Sequence, residues 1–230
     1  MENVLDEKIS RFKDASWINR TGKNLQISVL GVGGIGSNTL FNLVRSIPAT
    51  YIIVDDDTVD VHNLTTQFYT KEHLNVSKVV ALKDVLSQWN IPSQIWGFNT
   101  KITKSSFDFI KPITITGFDN MEARKVSYEL WKQQENREIF IDGRLRATSY
   151  EVYSVIPGRE EEYEKTLFDD SDIPDEPCTM KQTVFFGMLI GARITNILSN
   201  YLTNKFLQED VCEVPFKFKE LGELCYVDIQ

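Results

Sequence analysis

Residues 27–44, ISVLGVGGIGSNTLFNLV, and residues 50–67, TYIIVDDDTVDVHNLTTQ, decide how this chain folds. A β-branched run at 27–30 leads directly into Gly31, Gly33 and Gly36 in G-x-G-x-x-G spacing, with Gly34 between them. A second apolar strand then ends at Asp55, at the distance expected of an acid that binds a ribose. The first glycine permits a tight turn, the second lets backbone approach a phosphate, and the third lets the following helix pack on the strand. N–H groups at the start of that helix face an anion, aided by the helix dipole. The stretch therefore reads as a nucleotide-binding βαβ unit, with Asp55 at the carboxyl end of its second strand.

Working outward, strands and helices alternate as in a mostly parallel, Rossmann-like α/β sheet covered by helices on both faces. Expected strands span 25–30, 51–55, 94–98, 113–118, 139–141 and 150–156, the last antiparallel. Helices are expected at 35–45, 77–89 and 121–134, the third starting after Asp119 and Asn120, which can cap it. Pro157 and Gly158 then open an acidic segment that reads as a mobile surface loop. A long apolar helix at about 180–201 follows, and the chain ends in a hairpin turning near Leu221 and Gly222. With no internal repeat, 1–230 is read as a single domain, with 1–24 as an N-terminal arm.

The formal charge of −8 argues against a nucleic-acid partner, which needs a basic surface. Nine acids and two bases between Arg159 and Cys178 account for nearly all of that charge, so the rest of the chain is close to neutral. The first residues lack the apolar core of a secretory signal. The most apolar helical run, 184–192, ends at Arg193, far short of a membrane span. Three widely spaced cysteines form no Cys-x-x-Cys pair, which indicates neither a zinc site nor a disulfide framework and favours the cytoplasm.

A βαβ unit alone cannot separate a nicotinamide dinucleotide from ATP. The residues beyond it do more. Asp57, Asn63 and Gln67 follow Asp55 on the loop leaving the second strand, Lys78 starts the next helix, and Asp119 closes the fourth strand. In an open parallel sheet that edge is where ligands bind. Two carboxylates beyond the ribose acid, one ammonium and two amides suit a magnesium triphosphate, whereas hydride transfer would require only Asp55.

At GVGGIGS, DDDTVDVHNLTTQ, the lysine of NVSKVVALKDVL, FDNMEAR and, more loosely, FIDGRLRATSYEVYSV, the chain resembles the ThiF/MoeB-type adenylyltransferases of the ubiquitin-activating-enzyme superfamily. The resemblance runs from about residue 10 to 156. It implies ATP- and Mg²⁺-dependent activation of a carboxylate, usually the C-terminal glycine of a small ubiquitin-like or sulfur-carrier protein, as an acyl adenylate. It also implies a homodimer. On this resemblance Asp55 binds the ribose, Asn63 and Gln67 hold the nucleotide, Lys78 contacts phosphates and Asp119 ligates Mg²⁺. Arg124 serves either phosphate or helix packing. Arg11, in SRFKDASW, is the candidate for a contact to the other subunit's ATP, with Arg20 as substitute. The segment 157–180 corresponds to a loop crossing over the substrate's tail.

Two departures stand out. Relatives usually carry arginine where this chain has Thr66, so Arg11, Arg20, Arg144 or Arg146 compensates or turnover is weak. The paired cysteines of many relatives are absent, which removes zinc and leaves the nucleotide site untouched. Cys178 could accept an acyl group, or be an ordinary thiol whose acidic neighbours disfavour the thiolate. Two alternatives stay open: an ATP-binding, poorly catalytic subunit of an activating enzyme, and an NAD-dependent oxidoreductase.

Overall fold

The computed structural model describes residues 25–89, 93–146, 149–172, 184–222 and 226–230. Arg11, Arg20, Cys178 and the arm 1–24 lie outside them. One eight-stranded sheet carries the fold, in the order β3-β2-β1-β4-β5-β6-β7-β8. β1 (Gln26–Leu30), β2 (Thr50–Val54), β3 (Gln94–Phe98), β4 (Ile113–Thr116) and the first half of β5 (Ile139–Arg146) are parallel. β6 (Ser149–Val155), β7 (Lys217–Leu221) and β8 (Tyr226–Ile229) continue it as an antiparallel meander.

β1, β2 and β4 are buried on both faces past their first residue because helices cover both sides of the sheet; β2 is a near-continuous apolar run, whereas β1 and β4 also bury Ser28, Thr114 and Thr116. On one face α1 (Gly34–Ser46), α2 (Lys78–Ser87) and α5 (Val184–Leu207) pack over Ile27, Val29, Ile53 and Ile141. On the other, α3 (Met121–Lys132) and the short α4 (Glu160–Glu164) enclose Leu30, Val54, Phe140, Trp131 and Tyr163. Leu40, Leu43 and Val44 of α1 are fully buried, each contributing about 1.5–3 kcal/mol. β1 sends its connection to β2 on one side and has β4 on the other, so the strand order reverses beside the glycine loop and opens a crevice there.

Three elements differ from the sequence expectation. β5 runs on to Arg146 because its second half finds an antiparallel partner, Asp142 opposite Tyr153 through Arg146 opposite Ser149. α5 continues to Leu207 and stops at Gln208, whose φ of 58° is left-handed, while Asn204 accepts the Val211 and Cys212 N–H groups of the returning chain. The described part of the acidic segment is docked. Tyr163 is buried, Glu160 pairs with Arg137 at 3.0 Å, Glu164 with Lys132 at 2.5 Å and Asp169 with Lys125. Composition marked this stretch as solvated, but its acids meet Lys125 and Lys132 of α3 and Arg137 just beyond it, all remote in sequence.

Candidate functional site

The site is built from the glycine loop. Gly31 has a φ of +78°, open to glycine and rarely to other residues, and its N–H bonds Val54 O at 2.8 Å. A Cβ on Gly36 would lie 1.8 Å from Gly31 O, so only glycine lets α1 start this close to β1. A Cβ on Gly33 would meet only Gln67 Nε2, at 3.8 Å, and otherwise occupy open cavity. Ser37, the last residue of GVGGIGS, donates to Gly33 O at 2.6 Å and accepts from Phe68 N–H at 3.2 Å, tying the loop to the segment that carries Gln67.

Asp55 staples this loop to β2. Its Oδ2 accepts the Val32 N–H at 2.7 Å and its Oδ1 the Asp57 N–H at 2.9 Å. Burial pushes its carboxyl above the ordinary value, against the Lys78 charge and the two N–H groups. Tyr69 donates to Val32 O at 2.6 Å and holds the other side of the loop. Burial, then the Asp55 and Asp57 charges, keeps that hydroxyl protonated.

Lys78 is placed by its own backbone, whose N–H bonds Asp57 O at 2.9 Å, and by the bridge between Thr58 and Ser77. Its buried ammonium lies 2.8 Å from Asp57 Oδ2. Gln67 is anchored through its N–H to Asn63 O at 2.8 Å, and its buried Oε1 has no hydrogen-bond partner among the described residues. Asp119 is exposed on the rim, with Asn120 Nδ2 at 3.3 Å. The helix cap that follows is Asn120, whose Oδ1 accepts from Ala123 N–H at 2.8 Å.

These groups line one cavity of about 1320 Å³ across the carboxyl ends of the parallel strands. Gly31, Gly33, Gly34, Asp55, Asp57, Gln67, Lys78 and Asp119 all reach its wall. Gly36 sits behind it as packing. Asn63, expected to hold the nucleotide, is not on that wall: its Oδ1 accepts from Asp60 N–H at 2.9 Å, closing the cap of the 3₁₀ turn Val61–Thr65. Arg124 lines the floor but is spent on packing, donating to Asp142, to Phe118 O and, at 2.9 Å, to Gly143 O. Arg144 is held by Asp142 at 2.7 Å and by Thr166. Of the suggested substitutes for an arginine at Thr66, Arg146 is exposed on the wall.

Sequence reasoning missed Lys101, Lys104 and Lys219 on the wall, and Tyr69 beneath the glycine loop. Lys101 and Lys104 leave β3 in a loop without a motif; only the rule that ligands gather at strand carboxyl ends could have raised them. Among the described residues no cluster of three or more His, Cys, Asp or Glu could hold a metal ion. The exposed carboxylate of Asp119, among the acids lining the cavity, nevertheless suits magnesium, which binds through one or two carboxylates together with substrate phosphates and water. The unpartnered Gln67 Oε1 and the space above Gly33 fit a nucleotide.

The ThiF family model matches residues 11–221. The chain belongs to the ThiF family. It is 33% identical over 105 residues to SUMO-activating enzyme subunit 2 of Dictyostelium discoideum, covering 44% of this chain and 16% of that protein. It is 28% identical over 195 residues to SUMO-activating enzyme subunit uba-2 of Caenorhabditis elegans, covering 76% and 33%. The chain thus spans a third or less of the length of these two relatives. In fold it is similar to PaaA, with a TM-score of 0.77 at 16% identity over 98% of this chain and 73% of that one. E. coli MccB solved with ATP gives 0.71 at 14% identity, over 93% and 65%. Among the described residues no helix is long and apolar enough to cross a membrane.

Proposed function

We propose that this chain binds ATP with Mg²⁺ in the cavity and adenylates a carboxylate, the C-terminal glycine of a small ubiquitin-like or sulfur-carrier protein. One observation carries the reading: Gly33, Asp55, Gln67, Lys78 and Asp119, spread over 87 positions of sequence numbering from 33 to 119, line a single cavity. The similarity to subunits of SUMO-activating enzymes supports the substrate class, and the structure of MccB with ATP supports the nucleotide.

In this reading Asp55 accepts hydrogen bonds from the ribose, and the N–H groups at the start of α1 receive phosphate oxygens. Lys78 exchanges Asp57 for a phosphate, and Gln67 uses its free Oε1 on the nucleotide. Asp119 would hold the magnesium ion, which when bound neutralises charge on the phosphates. The substrate carboxylate, already an anion, attacks the α-phosphorus; the new O–P bond forms as the bond to the pyrophosphate oxygen breaks. No general base is needed, so the work is positioning and charge neutralisation. That accords with a cavity lined by glycine N–H groups, lysines and carboxylates and by neither histidine.

Thr66 supports a second reading, an ATP-binding subunit that turns over only with a partner chain. ATP–pyrophosphate exchange separates the two: exchange by the isolated chain supports the enzyme, and exchange only after a partner is added supports the subunit. Stabilisation by NADH and not by ATP would refute both. We further propose a homodimer in the cytoplasm, formed through Val61, Phe185 and Met188, which are 65%, 53% and 51% exposed. Phe185→Glu should convert it to monomer in sedimentation; a parent that sediments as a monomer refutes the dimer.

A further inference from the structure

A second group of buried charges sits under the cavity floor. Asp142, the last residue of β5 paired in parallel with β4 on one edge while Tyr153 of β6 lies opposite it on the other, is fully buried. Its Oδ1 accepts from Arg124 Nη1; its Oδ2 accepts from Arg144 Nε at 2.7 Å and from the Tyr163 hydroxyl at 3.0 Å. A buried ion group of this kind is weak evidence for stability, since desolvation offsets much of the attraction. What it does is fix geometry.

Two arms leave this hub. Through Arg124, whose Nη2 donates to Phe118 O, it holds the peptide that delivers Asp119. Through Tyr163 and through Arg144, which donates to Thr166 O at 2.9 Å and Thr166 Oγ1 at 3.0 Å, it holds the acidic segment. That segment runs antiparallel along α3, from Glu160 at Arg137 to Asp170, whose carboxylate accepts the Met121 N–H at 2.8 Å and the Glu122 N–H at 3.2 Å. It ends one turn from Asp119, and Thr166, Phe168 and Asp170 form part of the cavity wall.

We propose that Asp142 is a positioning residue that sets Asp119 for its metal and ties that setting to the docking of residues 160–172. It rests on the reading of Asp119 as the magnesium ligand. Undocking the segment withdraws the Tyr163 hydroxyl and the Thr166 anchor of Arg144; the hub loosens, Arg124 is less constrained, and Asp119 loses its fixed place. Among the described residues Asp55 and Lys78 make no hydrogen bond to Asp142, Arg124, Arg144 or Tyr163, and the glycine loop meets this group only by packing, Gly31 against Phe118 and Ile35 against Gly143, so metal-free ATP should depend on it far less than the magnesium complex does.

The test is calorimetric: the ATP dissociation constant in Mg²⁺ and in EDTA, for the parent, Asp119→Asn, Asp142→Asn and Tyr163→Phe, with hydrogen exchange over 160–172. The parent should bind at least about tenfold tighter with Mg²⁺. Tyr163→Phe deletes one hydroxyl, should stay folded, and should lower that ratio at least about threefold while metal-free affinity holds and exchange over 160–172 quickens. Asp142→Asn should lower it further, and combined with Asp119→Asn should add nothing. Should Asp142→Asn fail to fold, Tyr163→Phe decides. A magnesium-dependent parent with folded variants that keep its ratio overturns this inference alone. A parent indifferent to magnesium overturns the reading of Asp119 and the inference with it.

Discussion

Gly33 and Gly36 stand three residues apart, yet alanine at the two positions should fail in opposite ways. At Gly36 the new Cβ would sit 1.8 Å from Gly31 O, a backbone atom that cannot swing aside. Overpacking of this kind costs about 1–3 kcal/mol or more. For a chain of this length that lowers the midpoint of thermal unfolding by about 2–12 °C, at about 2–4 °C per kcal/mol. At Gly33 the Cβ touches only Gln67 Nε2 at 3.8 Å, an ordinary contact, so the midpoint should stay within about 2 °C of the parent. That methyl instead stands where the proposed function has a phosphate approach. With ATP at 100 times its dissociation constant the parent gains about 2.7 kcal/mol, a shift of about 5–11 °C. A tenfold weaker site retains about 1.4 kcal/mol, so Gly33→Ala should lose about half of that shift or more. Scanning fluorimetry with and without Mg-ATP reads both quantities. A Gly33→Ala protein that shifts like the parent would refute the placement of phosphate at this loop.

Lys78→Ala should abolish most of the ATP-induced shift while costing about 1 kcal/mol or less of stability, since Asp57 is 66% exposed and rehydrates; denaturant melts and calorimetry check the two parts. Arg124→Gln breaks a buried ion pair, and with Arg144 still on Asp142 should cost about 3 kcal/mol, seen as a midpoint about 6–12 °C lower. The docked acidic segment should release on acidification. The Lys132 hydrogen bond, then that of Tyr128, holds the Glu164 carboxyl below its ordinary 4.5, so its contribution is present above that value and lost as pH falls through the lower folded one. Pulse proteolysis over 160–172 should therefore quicken as the pH falls below 4.5, and a rate flat across that acid range would contradict the docking.

The parallel half of the fold was legible because its signals are local. The β-branched runs, the glycine spacing and the cap at Asn120 each specify an element from a few neighbouring residues. Asp55, Gln67, Lys78 and Asp119 could be placed on one edge because in a parallel sheet every strand delivers its carboxyl end to the same side. The second half of β5 was not legible, since its extension depends on β6 as partner. Asn63 was misplaced for a related reason. An amide in a nucleotide-loop pattern and an amide that caps a 3₁₀ turn look alike in sequence, and only the Asp60 N–H bond distinguishes them. Within 160–172 the acidic segment is docked where a mobile loop was expected, because composition counts charge and ignores the cations opposite.

The state of Lys78 shows how such a site can be both stable without ligand and ready for it. A buried ammonium with no partner would be costly, and Asp57 supplies the partner at 2.8 Å. That carboxylate is itself two-thirds exposed, so releasing it returns a well-hydrated group to water at small cost. Under the proposed function a triphosphate would bring more charge than the carboxylate it displaces. The lysine meanwhile does not have to be ordered on binding, because the Asp57 carbonyl and the Thr58–Ser77 bridge already fix the start of α2. Asp55 works the other way: burial raises its carboxyl, the Lys78 charge and the Val32 and Asp57 N–H groups only partly offset this, and acceptor capacity kept in a dry place would be worth most to the ribose of the proposed nucleotide. One carboxylate is therefore disposable and the other fixed, and the single loop that leaves β2 delivers both.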